Sequence, residues 1–181
     1  MKLVAVLLGF LIVYHHLLYP LMMASIARLQ KRLPAVADPD PWPMVTLLIA
    51  AYNEERVIGE KIRNSLQLDY PRDLLEILVV TDGSSDGTPA VVEQFAGSGV
   101  RLLHEPARRG KGNAINRGVA ASRGSILVLS DANNFYTPDA IRYLVRALAR
   151  PEVGGVSGAK RVNFDPQRLA SRGDGLYWRF E

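Results

Sequence analysis

Beyond its first quarter, the chain alternates short apolar runs with stretches whose apolar residues recur at helical spacing. Val45 to Ala50 is a continuous apolar run of strand length, the pattern of a strand buried on both faces. A helical stripe of Val57, Ile58, Ile62 and Leu66 follows, with Asn53 as the expected N-cap and glutamates in the first turn. Tyr70-Pro71 breaks that pattern, and Leu74 to Val80 forms a second strand. Asp86 or Thr88 is placed to cap a helix running to about Phe95. Val100 to Leu103 reads as a third strand, and Gly110 to Ser122 as a helix carrying Ala114, Ile115, Val119 and Ala120. Ser125 to Leu129 is the next strand. Thr137-Pro138-Asp139 opens another helix with Pro138 in its first turn, and Val153 to Ala159 reads as a Gly-rich strand. Strands alternating with helices predict βαβ units and a mainly parallel sheet.

The N-terminal segment has a different pattern. Leu3 to Ala27 is almost uninterrupted apolar sequence, against the roughly 20 residues that span a bilayer as a helix. Lys2 precedes it, and Arg28, Lys31 and Arg32 follow, so the positive-inside rule predicts a membrane helix with the following domain in the cytosol. A cleaved signal peptide fits less well: the stretch exceeds the usual apolar region and the positive charge lies on the wrong side. His15 and His16 fall near mid-membrane and read as neutral imidazoles packed against another helix rather than as a proton relay. Pro34, Pro39, Pro41 and Pro43 mark a short stiff linker. The expected organisation is a transmembrane and basic juxtamembrane segment over 1–33, a linker over 34–44, an α/β domain over 45–161 and the start of an incomplete region over 162–181.

Of the 181 residues, 48% are hydrophobic and 22% charged, which supports a sizeable core. Cysteine is absent, excluding disulfides, thiolate metal sites and thiol nucleophiles. The net charge of +4 is mild, and no zinc-finger spacing, RNP-like motif or basic helix points to nucleic acid.

Candidate chemistry sits at the carboxyl ends of the strands, where open α/β sheets bind ligands. Ala51-Tyr52-Asn53-Glu54 closes the first strand; small residues let a flat base approach, and Tyr52 can lie against it. Thr81-Asp82-Gly83-Ser84-Ser85-Asp86-Gly87-Thr88 closes the second, where the Asp82 carboxylate can accept hydrogen bonds from a base. Arg109-Gly110-Lys111-Gly112 precedes a helix without Walker A spacing, yet its lysine and glycines suit a phosphate. Asp131-Ala132-Asn133 places two oxygen ligands on one side of an extended segment, suiting Mg²⁺ or Mn²⁺ bridging a diphosphate.

Together these motifs, with Asn113-Ala114-Ile115-Asn116-Arg117-Gly118, resemble the family 2 glycosyltransferases over about Val45 to Arg161. The resemblance implies a GT-A, Rossmann-like, mainly parallel sheet flanked by helices, here preceded by one transmembrane helix. It implies an inverting transfer of a sugar from a nucleotide-diphosphate sugar, a UDP-sugar being favoured, to a hydroxyl acceptor on a glycan or lipid. Ala51 and Tyr52 would line the nucleobase pocket, with Glu54 on the same donor side. Asp82 would bind the base and Lys111 would lie near the diphosphate. Asp131 would be the first aspartate of the DxD motif, sharing the metal with Asn133.

Three departures stand out. Thr81 replaces the usual paired aspartate, Asn133 replaces the second DxD acid, and the chain stops at Glu181, ahead of the acceptor-side aspartate base and the QxxRW-type motif of processive members. The general base is therefore expected to be absent. Glu152, Asp165, Asp174 and Glu181 remain as unmarked carboxylates, and the Gly173–Glu181 aromatic cluster reads as an apolar face missing its packing partner. A truncated, non-catalytic nucleotide- or partner-binding module is the alternative, and a nucleotidyltransferase on a similar sheet is a more distant one.

Overall fold

The computed structural model describes residues 2–29 and 37–159. They fall into two units, divided after Ala35. The first is a helix over Lys2–Leu29, long and apolar enough by length and composition to cross a membrane. It comprises α1 (Lys2–Val13), a π-helical turn (Tyr14–Leu18) and α2 (Tyr19–Leu29). His15 and His16 lie in the π turn with their rings edge to face, 5.0 Å apart. Lys31, Arg32 and Pro34 lie outside the described residues.

In the second unit, four parallel strands form one sheet: β1 (Val45–Ala51), β2 (Leu75–Asp82), β3 (Val100–Glu105) and β4 (Ile126–Asp131), in the order β3-β2-β1-β4. The helices are α3 (Glu55–Leu66), α4 (Thr88–Glu93), α5 (Lys111–Ala121) and α6 (Ala140–Leu148). Side chains alternate across each strand, so the apolar runs feed two cores. On one face Val45, Leu47, Ile49, Ile77 and Val79 pack with Ile58 and Ile62 of α3, Val92 of α4, and Ile141 and Val145 of α6. On the other, Leu48, Leu78 and Val80 pack with Ala114 of α5. That second face is tight. A Cβ on Gly118 would lie 2.9 Å from Val80 Cγ2 and closer still to Leu48 Cδ1, so only glycine lets α5 settle onto the strands.

At the amino ends of the strands the second face turns polar. The buried Glu76 accepts hydrogen bonds from Thr46 Oγ1 (2.6 Å) and Arg123 N–H (2.8 Å), and pairs with Arg101. Gly124 N–H donates to Thr46 Oγ1 at 2.8 Å, so the network docks the α5–β4 turn onto the sheet. Burial raises the Glu76 pKa, but the bonds from Thr46, Arg123 and Arg101 outweigh it and hold the carboxyl below its ordinary 4.5.

Several elements differ from the sequence reading. β2 and β4 run on to Asp82 and Asp131, because the parallel ladders continue through the acidic residues, Asp82 opposite Glu105 of β3 and Asp131 opposite Ala50 of β1. Asn53 does not cap α3: it adopts a left-handed conformation (φ 53°) and its side chain bonds Ser85 instead. Pro138 sits in a turn ahead of α6, which starts at Ala140. Val153 to Ala159 is not a strand; Val153 N–H closes a turn onto Arg150, and no described strand pairs with this glycine-rich stretch. A strand needs a partner for its backbone groups, and glycine adds an ordering cost. Within the linker, Trp42 stacks edge-on against Tyr70 and Asp38 pairs with Arg146.

Glu76→Ala is expected to destabilise this domain by roughly 2–4 kcal/mol, since it strands Arg101, the Thr46 hydroxyl and the Arg123 N–H. Because the folded carboxyl titrates below 4.5, its contribution is complete above that pH and disappears as pH falls through the folded value. Chemical denaturation of the detergent-solubilised chain at pH 7 and at pH 3 reads both effects; equal loss at both pH values contradicts the assignment.

Candidate functional site

Because all strands run parallel, their carboxyl ends open on one edge. Register sets Ala50 opposite Asp131 and Ala51 opposite Thr81, with Asp82 the next residue of β2. By alternation Ala50, Asp82 and Asp131 share the face covered by α5, whose amino end arrives between them. A cleft of about 390 Å³ results, lined by Ala50, Ala51, Tyr52, Glu54, Asp82, Arg108, Gly110, Lys111, Asp131 and Asn133. Every donor-side residue expected from the sequence lines this one cleft.

The local wiring is specific. Asp82, 4% exposed, accepts hydrogen bonds from Arg109 N–H (3.0 and 3.1 Å to its two oxygens) and Gly110 N–H (2.6 Å). The carboxylate thus fixes the residues that lead into α5. Gly83 turns with φ 67°, and a Cβ there would meet the Arg108 backbone at 2.6 Å, so the β3–α5 loop lies directly on it. Arg108 in turn places its guanidinium 4.0 Å from the Tyr52 ring centroid and donates to Tyr52 Oη at 3.3 Å. Lys111 reaches across the cleft to Asp131, Nζ to Oδ1 2.6 Å.

Other motif residues do structural work. Asn53 Oδ1 accepts from Ser85 N–H (2.8 Å), Thr88 Oγ1 from Glu54 N–H (2.8 Å), and Glu55 Oε2 from Gly87 N–H (2.9 Å). Asp86 accepts from the Thr88 hydroxyl (2.6 Å), Thr88 N–H (3.0 Å) and Glu55 N–H (3.2 Å); burial raises its pKa, but these bonds prevail and lower it. The β1–α3 and β2–α4 loops are therefore laced together beneath the cleft. Thr81, in place of an acid, is fully buried and bonds His104 Nδ1 at 2.8 Å, away from the cleft lining.

Asp131-Ala132-Asn133 is not an extended segment. Asp131 ends β4 and its carbonyl accepts from Asn134 N–H at 3.3 Å, a turn in which Ala132 is buried. Asp131 and Asn133 nonetheless both line the cleft. Among the described residues no cluster of three or more His, Cys, Asp or Glu side chains is placed to hold a metal. Glu152 lies 3.8 Å from Arg150, whereas Asp165, Asp174, Glu181 and the Gly173–Glu181 cluster lie outside the described residues.

The sequence reading missed Lys61. This α3 residue has 0% exposure, donates from Nζ to the Asn134 carbonyl, and lies 4.0 Å from the Tyr136 ring centroid. Three residues on, Asn64 brackets Tyr136, donating to its carbonyl and accepting from its N–H, both at 2.9 Å. Lys61 falls four residues after Val57 and three after Ile58, inside the apolar stripe of α3, and that spacing was the available signal.

A parallel sheet whose carboxyl edge gathers an aromatic, two aspartates and the amino end of a lysine-bearing helix defines an open α/β domain with its cleft where such folds take ligands. The chain belongs to the glycosyl transferase family 2, whose model matches residues 46–180. It is 33% identical over 160 residues to a beta-monoglucosyldiacylglycerol synthase of Synechocystis sp., covering 82% of this chain and 33% of the relative. It is 38% identical over 136 residues to the probable glycosyltransferase YdaM of Bacillus subtilis, covering 72% and 32% respectively. The chain thus spans about a third of the length of these curated relatives. Among solved structures, the mannosyltransferase PcManGT of Pyrobaculum calidifontis, in complex with GDP-Man and Mn²⁺, superposes with a TM-score of 0.76. Its identity is 36%, over 84% of this chain and 46% of that one. The fold is GT-A.

Burial lowers the Lys61 pKa, and the Asp131 carboxylate partly opposes this, leaving it at about 8 rather than 10.5. Between about 8 and 10.5 the unfolded chain holds a proton that the native chain has released, so wild-type stability rises with pH relative to Lys61→Met. Below that window both states are protonated and the difference is flat. Thermal denaturation of the two proteins at pH 7 and pH 10 measures this; a gap independent of pH contradicts it.

Proposed function

We propose that this chain is the donor-binding part of an inverting glycosyltransferase that uses a nucleoside diphosphate sugar and a hydroxyl acceptor, in glycolipid or polysaccharide synthesis. The observation that carries the reading is the convergence of Tyr52, Asp82, Lys111 and Asp131 on one cleft at the amino end of α5.

Ala51 and Tyr52 supply a floor and a flat face for the base. A carboxylate has about four acceptor positions, so Asp82 keeps room for a base N–H beside its two backbone donors. Glu54 lies at the same end of the cleft lining. The α5 amino terminus and Lys111 suit the diphosphate, since unpaired N–H groups and a cation both face the phosphate charge. The Lys111–Asp131 pair is exposed on both sides and is worth only about 0–1 kcal/mol, so a diphosphate can replace Asp131 as the lysine's partner.

Asp131 and Asn133 fit Mg²⁺ or Mn²⁺ as a shared site. Both offer hard oxygen, and such a cation completes its shell with phosphate oxygens and water. Bound there, the metal would supply charge stabilisation for the departing diphosphate. PcManGT, solved with GDP-Man and Mn²⁺, supports a metal-dependent donor site. The name of the Synechocystis relative, a beta-monoglucosyldiacylglycerol synthase, supports a glycolipid product. The carboxylates of the cleft, Glu54, Asp82 and Asp131, all fall on the donor side, so inversion draws its base from elsewhere.

In titration calorimetry of the solubilised chain, UDP or GDP is expected to bind more tightly with Mn²⁺ than with EDTA. Asp82→Ala is expected to weaken nucleotide binding roughly 10-fold with or without metal, and Asp131→Ala to abolish the Mn²⁺-dependent gain. Unchanged affinity in Asp82→Ala overturns the reading.

The helix over Lys2–Leu29 is read as a membrane anchor with the domain on the cytosolic side, supported by Arg28, Lys31 and Arg32 after it. The chain has no cysteine, so Gln94→Cys, at an exposed site, carries a single thiol. A membrane-impermeant maleimide is expected to label it only after the cells are opened; labelling of intact cells refutes that orientation.

A further inference from the structure

We propose that Lys61 and Asn64 of α3 are positioning residues that hold the turn carrying Asp131 and Asn133 in the geometry needed to take a divalent cation together with a nucleoside diphosphate. The inference rests on the donor-site reading above and deepens it.

The argument starts from what the turn lacks. Asp131 is anchored by β4, where it lies in register with Ala50, but Asn133 belongs to no strand or helix. Between β4 and α6 the chain runs through residues 132–139 without regular structure, and one backbone bond, Asn134 N–H to the Asp131 carbonyl, closes the turn. Unsupported, such a segment samples many conformations, and a ligand on it is poorly placed. Lys61 and Asn64 lie three apart on α3 and so share one helical face. That face grips the segment at two successive points: the Asn134 carbonyl by Lys61 Nζ, and both backbone groups of Tyr136 by Asn64. The Tyr136 ring closes over the ammonium at 4.0 Å.

A buried ammonium is costly unless partnered, and its placement here is difficult to explain as packing. Methionine or leucine would fill the same stripe of α3 without that cost. Lys61 has 0% exposure, so it cannot itself meet substrate; whatever it does passes through the turn. The Asp131 carboxylate also acts on this ammonium electrostatically. Outer-shell donors of this kind, bonded to the segment that bears the ligands, set how well those ligands are aimed.

The test compares the full solubilised chain with Lys61→Met and Asn64→Ala, using UDP and GDP with EDTA, then Mn²⁺ titrated into the nucleotide complex, and thermal midpoints. The expected result is metal-free nucleotide affinity within about twofold of wild type, with Mn²⁺ affinity in the complex reduced roughly 10-fold in Lys61→Met and in the same direction in Asn64→Ala. Unchanged Mn²⁺ affinity in both variants overturns the proposal. So does a parallel fall of metal-free affinity and thermal midpoint, which marks a purely structural role. Should wild type itself show no gain from Mn²⁺, the donor-site reading fails first and this inference with it; a wild-type gain retained in the variants sinks the inference alone.

Discussion

The cleft depends on a carboxylate that the protein uses on its own backbone. Asp82 ends β2 and accepts the N–H groups of Arg109 and Gly110, closing the β3–α5 loop onto the sheet edge. Charge-assisted bonds of this kind are about twice as strong as neutral ones, and here they are nearly dry. Everything beside them follows. Gly110 leads into α5, which fixes where Lys111 emerges; Arg108, one residue before the clamped amides, is laid over Tyr52. Removing the carboxylate would release an aromatic contact and a cation together.

The clamp works only because the elements below it are rigid. β1 is central, paired in parallel with β2 and β4, so Ala50 and Ala51 form a floor that cannot tilt independently. Gly118 lets α5 approach that sheet closely, and the Glu76–Thr46–Arg101 network fastens the far end of α5 through the turn at Arg123 and Gly124. The helix is thus held at both ends, by a carboxylate in each case, at opposite edges of the same face of the sheet.

Much of this was legible in the residues. Apolar runs of strand length separated by helical stripes dictate a parallel sheet, and the acidic signatures at the run ends fall where such a sheet opens. What the residues did not reveal is how motif positions divide between chemistry and architecture. Asn53, Asp86 and Thr88 read as caps of their own helices, yet they bond the neighbouring loop, because two crossing turns at one sheet edge leave backbone N–H groups that need partners. Val153 to Ala159 reads as a Gly-rich strand, but pairing decides, and pairing is non-local. Lys61 was passed over because lysine is assumed to be solvated, although its spacing put it within the buried stripe.

Two lysines face Asp131, and their surroundings give them different freedoms. Lys111 lies on the surface with 65% of its side chain exposed, so its ion pair exchanges partners at little cost. Lys61 cannot move without stranding a carbonyl and opening the α3 face, since its charge is held by the Asn134 oxygen, the Tyr136 ring and the attraction of Asp131. A site that must admit and release a polyanion benefits from such a division. The exposed cation can follow the ligand, while the buried one keeps the receiving turn in place whether or not anything is bound. Charge alone does not separate these tasks; burial does, because Lys61 falls inside the apolar stripe of α3 while Lys111 sits at the exposed amino end of α5.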